Sequence, residues 1–85
     1  MARYLSSHAL GCLPKPAFAR LCRDIFAAGD GAVRIVAGQI GERMLVEFEA
    51  QDGDAAIAWL RAHKLAPSWL LRLDYESTDG QLLEL

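Results

Sequence analysis

Along this chain the spacing of apolar residues switches between the two-residue repeat of strands and the wider repeat of a helix face, and the switches predict the order of elements. Arg3 to Leu10 reads as a first strand. Gly11–Pro16 follows as a connection, and Pro14 and Pro16 suit the opening of a helix, whose first N–H groups have no intrahelical partner. From Ala17 to Ala28 the residues Phe18, Leu21, Cys22, Ile25 and Phe26 recur at helical spacing, with Arg20, Arg23 and Asp24 on the other side. Gly29-Asp30-Gly31 stops that helix. Val33–Ala37 and Arg43–Ala50 read as a hairpin joined by Gly38–Glu42; in its second arm Met44, Val46 and Phe48 alternate with Leu45, Glu47 and Glu49. Asp52-Gly53-Asp54 offers capping side chains to a second helix, Ala55 to Lys64, in which Ala56, Trp59, Leu60 and His63 share an arc, so His63 is expected to face inward. Pro67 follows, and Trp69–Glu76 reads as a fourth strand with Leu71 and Leu73 toward the core and Leu70, Arg72 and Asp74 outward.

This order predicts an α+β fold, a ferredoxin-like βαββαβ sandwich with a four-stranded antiparallel sheet and both helices on one face. Residues 1–76 form the domain, and 77–85 form a turn and a short apolar tail. The expected core comprises Phe18, Leu21, Ile25, Met44, Val46, Phe48, Trp59, Leu60, Leu71 and Leu73. Right-handed crossovers bring the end of the first strand, the start of the first helix, the hairpin turn and the end of the second helix to one rim. His8, Cys12, Glu42 and His63 are its candidate residues.

Tyr4-Leu5-Ser6-Ser7-His8, Met44–Ala50 and Arg61–Pro67 give the chain its likeness to a known group. With these segments it resembles the small ferredoxin-like family whose characterised members bind nickel and whose domain is otherwise of unknown function. The resemblance implies a histidine closing the first strand, a strand ending in Glu-Ala and a histidine at the end of the second helix, places held here by His8, Glu49-Ala50 and His63. It also implies dimers that bring their sheet faces together. Where that family commonly has a strand cysteine this chain has Val46, and Gln51 stands in place of a proline.

A length of 85 residues supports one compact domain. Nine basic and eleven acidic residues are interspersed for a net charge of −2, which supplies no footprint for a polyanion, so nucleic acid is not an expected partner. The N-terminal residues lack the apolar region of a signal peptide and no run is long enough to suggest a membrane span; a soluble cytoplasmic protein is the expectation. Cys12 and Cys22 are too few for a disulfide framework and read as free thiols.

Imidazole and thiolate suit nickel, copper or zinc, so His8 and His63, with Cys12 as a third ligand, form a candidate site for a divalent transition metal at the rim. The competing reading makes both histidines hydrogen-bonded core or interface residues, Cys12 a small loop residue and Cys22 part of the apolar stripe. Glu47 and Glu49 share a strand face at about 6–7 Å, which names no reaction, and no nucleophile stands beside a base. No catalytic residue is therefore assigned. Trp59 and Trp69 read as core or interface anchors, and the glycines punctuate turns rather than cradle a phosphate. Three functions remain open: a metal-binding protein, a dimeric α+β barrel that binds or converts a small molecule, and an interaction module without ligand. Val36 and Leu70 on the mixed sheet face, with the Leu82-Leu83-Glu84-Leu85 tail, predict a homodimer formed through sheet faces or exchanged tails.

Overall fold

A computed structural model describes all 85 residues and has the expected βαββαβ order. The elements are β1 (Ala2–Ala9), α1 (Lys15–Ala27), β2 (Ala32–Gly38), β3 (Arg43–Ala50), α2 (Gly53–Ala62), β4 (Trp69–Leu73), β5 (Tyr75–Glu76) and β6 (Leu83–Glu84). The first four strands in the order β2-β3-β1-β4 make an antiparallel sheet of ferredoxin-like topology. No helix is long and apolar enough to cross a membrane.

Local chemistry explains where the helices start and stop. Pro14 precedes α1 in an extended conformation and Pro16 occupies its first turn, where no N–H is needed. Asp52 caps α2 by accepting the Ala55 N–H at 2.8 Å. The far end of α2 closes with paired bonds: Leu65 N–H donates to the Leu60 carbonyl at 2.8 Å and Lys64 N–H to that of Arg61 at 2.9 Å. This is a Schellman ending, and it places Lys64 at φ 59°, a left-handed position usually given to glycine.

Gly31 is fixed by sterics. At φ 116° its added Cβ would stand 2.7 Å from the Glu49 carbonyl oxygen, while its own carbonyl accepts the Glu49 N–H at 2.9 Å. Just beyond, the pairing of β2 with β3 jumps from Ala32–Phe48 to Arg34–Glu47, leaving Val33 as the extra residue of a β-bulge.

The core lies between the helices and one sheet face. Tyr4, Met44, Val46, Phe48 and Ala50 from the strands meet Ile25 of α1 and Ala56, Trp59 and Leu60 of α2. Phe48 is fully buried, with the Trp59 ring stacked at 4.1 Å between centroids and Tyr4 at 6.0 Å. Phe18 and Leu21 pack at the margin of this cluster.

Strand β4 presents the opposite face from the one its pattern suggests. Leu70 pairs across from Ser6 and Arg72 from Tyr4 on the helix side, whereas Trp69, Leu71 and Leu73 lie beside Ser7, Leu5 and Arg3 on the open side. Leu71 and Leu73 are thus not core residues. Trp69, Leu70, Leu71 and Leu73 put apolar groups on both parities, so alternation alone cannot choose; the choice comes from pairing with β1 and from the Ser68 N–H bond to the Ser7 carbonyl at 2.7 Å.

The fourth strand also ends earlier than expected, at Leu73. Tyr75–Glu76 instead pairs with Leu83–Glu84, and Leu85 N–H returns to the Asp74 carbonyl at 2.9 Å. The apolar tail is therefore one arm of a small hairpin outside the main sheet, with Tyr75, Leu82, Leu83 and Leu85 all exposed.

Candidate functional site

The rim forms as the topology requires, since Leu10 N–H donates to the Glu42 carbonyl at 2.7 Å and ties the end of β1 to the hairpin turn. His8 stands there on the helix side of β1, 3% exposed, with Met44 across from it. Its Nδ1 lies 3.1 Å from the Ala66 carbonyl, which can only accept, so Nδ1 carries the proton. Nε2 is then the acceptor for the Ser6 hydroxyl at 2.7 Å. Burial holds the His8 pKa below its ordinary value, opposed in part by the bond to Ala66. The ring is a neutral tie between β1 and the segment leading into β4.

His63 points elsewhere. It is half-buried against the Trp59 ring, 4.2 Å between centroids, and its Nε2–H donates to both carboxylate oxygens of Asp30, at 2.9 and 3.1 Å. The Trp59 indole N–H donates to the Asp30 carbonyl at 2.9 Å, so one loop residue holds a side chain of α2 and that of its C-cap, His63. Asp30 adjoins Gly31, which is bonded to Glu49 at the far end of β3 from Met44. From Met44 to Glu49 a strand rises about 17 Å. A helical side chain leans toward the N-terminus of its helix, and this lean carries the His63 ring away from the rim where its backbone lies.

Cys12 is an exposed free thiol in the connection after β1. Cys22 is a half-buried free thiol whose pKa burial pushes up, which suits a small hydrophobe rather than a nucleophile. His8, His63 and Cys12 are therefore not brought together, and no group of three or more His, Cys, Asp or Glu side chains has an arrangement that could hold a metal ion. Both His8 nitrogens are engaged, and the recess beside the ring, about 340 Å³, is walled largely by Leu10, Leu13, Leu21 and Leu65. These residues do not fit a transition metal, which needs convergent lone pairs.

The open sheet face offers more. Val36 of β2, Leu45 of β3, Leu5 of β1 and Trp69, Leu71 and Leu73 of β4 share it. Glu47 sits near its centre between Arg3 Nε at 3.4 Å and Arg34 Nε at 3.7 Å. At the rim end of this face Ser7, Val36, Arg43, Leu45 and Trp69 line an open recess of about 330 Å³. Arg43 Nη1–H donates to Ser68 Oγ at 2.9 Å and to Ser7 Oγ at 3.4 Å, so one hydroxyl from β1 and one from the segment leading into β4 aim the guanidinium. The parity of Arg43, Leu45 and Glu47 on β3 was the signal for this group, but nothing local tied Arg43 to Ser7 and Ser68. No protein-family model matches the chain, nor does any curated protein or solved structure in the comparisons made.

Proposed function

We propose that this chain works as a homodimeric α+β barrel, two copies packing their open sheet faces together around an interior that binds a small molecule. The observation that carries this reading is the apolar character of the face. Antiparallel sheets that leave one side to water usually put polar residues there, yet Trp69, Leu71 and Val36 stand on it at 45%, 51% and 41% exposure beside the partly covered Leu5, Leu45 and Leu73. Large apolar groups gathered at this exposure around the Arg3–Glu47–Arg34 cluster mark an interaction surface.

Area supports a second copy and gives the C-terminal hairpin a part. Four strands spaced about 4.8 Å apart and about seven residues long give a flat footprint of roughly 450 Å², whereas a stable interface covers about 800 Å² per partner. The β5–β6 hairpin is a two-stranded ribbon, marginal by itself in water, and its exposed Tyr75, Leu82, Leu83 and Leu85 offer the additional surface. A two-fold pairing then covers both the sheet and the arm with one self-complementary contact.

Sedimentation of the full chain at tens of micromolar, a usual range for detecting functional dimers, tests the reading. The wild type is expected as a dimer and Leu71→Lys as a folded monomer. A wild type that stays monomeric throughout would overturn it.

A further inference from the structure

We infer that the recess at the rim end of the open face is a binding site for small apolar monocarboxylates, with Arg43 as the carboxylate clamp and Trp69 as the wall for the apolar body; this inference rests on the small-molecule-binding barrel proposed above.

Charge balance on the face points to an anion. Of its three arginines, Arg3 and Arg34 both approach Glu47, but Arg43 forms no ion pair. Its only side-chain partners are the neutral Ser7 and Ser68 hydroxyls, bonded through a single nitrogen, so Nε and Nη2 have no protein acceptor. A guanidinium aimed by neutral groups keeps its full charge and much of its fork for a ligand, and that fork matches a carboxylate with two parallel bonds. Ser7 is fully buried and Ser68 is anchored to it through the backbone, so the cation is held in place before any ligand arrives.

The walls select the rest of the ligand. Val36, Leu45 and the half-exposed Trp69 ring are apolar, which suits a flat or branched hydrocarbon body and disfavours a sugar or a polyphosphate. One unpaired cation fits one negative charge. About 330 Å³ lies at the small end of ligand sites, enough for one or two fused rings with the acid group at the edge.

Calorimetric titration of the full chain with 2-naphthoate and with its neutral isostere 2-naphthamide tests the site. Naphthoate is expected to bind saturably and at least tenfold more tightly than the amide. Arg43→Gln should erase that preference, Ser68→Ala should reduce it, and Trp69→Ala should weaken both probes. Equal affinity for acid and amide in the wild type, a preference that survives Arg43→Gln, or no saturable binding of either probe overturns the assignment, and the acid-to-amide comparison in the wild type holds even if a variant misfolds. Sedimentation on the same samples separates the two readings. A dimer that ignores naphthoate rejects the ligand and keeps the dimer; a monomer that binds it through Arg43 keeps the ligand and rejects the dimer.

Discussion

Ser6 and His8 stand two residues apart on the helix-facing side of β1, joined by a 2.7 Å hydrogen bond in which the hydroxyl donates to Nε2. Because the Ala66 carbonyl already fixes the proton on Nδ1, this pair has a single compatible arrangement while the ring is neutral. Protonation removes the Nε2 lone pair and leaves two donors facing each other. The Ser6 hydroxyl must then turn to the Val46 carbonyl, now 3.4 Å away.

The consequence is a stability that depends on His8 at mildly acidic pH. Burial depresses the folded pKa below the ordinary histidine value of about 6.5, so the unfolded chain binds more protons in the window below 6.5. The contribution is fully present above about pH 6.5 and is lost as pH falls through the folded value. Denaturant unfolding at pH 7.5 and pH 5 should show a larger drop for the wild type than for His8→Gln. Parallel pH profiles in the two proteins would rule the linkage out.

Phe48 is fully buried between Tyr4 and Trp59, so Phe48→Ala should cost about 3–5 kcal/mol. Leu71→Ala, on the open face, should cost the isolated monomer less than about 1 kcal/mol. Chemical denaturation of both variants at low protein concentration measures the contrast, and equal losses would contradict the face assigned to β4.

Two left-handed residues predict changes of opposite sign. Gly31→Ala sets a Cβ against the Glu49 carbonyl and should destabilise by about 2 kcal/mol or more, above the strain alone that is expected of Gly80→Ala, where space is open. Lys64→Gly relieves a left-handed residue at the end of α2 and should stabilise by about 1 kcal/mol. Thermal melts of the three variants give the order.

The arm should matter for assembly and little for folding. A chain ending at Asp74 loses Tyr75, Leu82, Leu83 and Leu85, all of them exposed in the single copy. Its circular dichroism should keep the helical signal, and its dimer dissociation constant should rise about tenfold or more, a shift of roughly 1.4 kcal/mol.

How legible these features were depended on how local their causes are. Strand β3 was readable to the residue, because Met44, Val46 and Phe48 alternate cleanly with the mostly charged positions Arg43, Leu45, Glu47 and Glu49. The Asp52 cap was legible for the same reason. The face of β4 was not, since its apolar residues occupy both parities and its register is set by β1. His8 was correctly brought to the rim, but its partner Ala66 lies 58 positions away in sequence, beyond any periodicity. For His63 the backbone position was right and the ring was misplaced; the lean of helical side chains and a carboxylate in the Gly29–Gly31 turn were the clues available. Arg43 was overlooked because a lone arginine opening a strand acquires meaning only when Ser7 and Ser68 arrive beside it.

The bulge at Val33 bears on what this chain is prevented from becoming. A sheet with two free edges and an apolar face invites further strands, and repeated edge pairing leads to fibres. The extra residue twists the start of β2 and breaks the regular row of unpaired N–H and C=O groups along that edge, while β4, at five residues, leaves little length to copy on the other. The same extra residue restores Arg34 to the side of Glu47, so the charges stay on the face. With the edges obstructed and the face left sticky, association is steered toward a pair that closes on itself and stops.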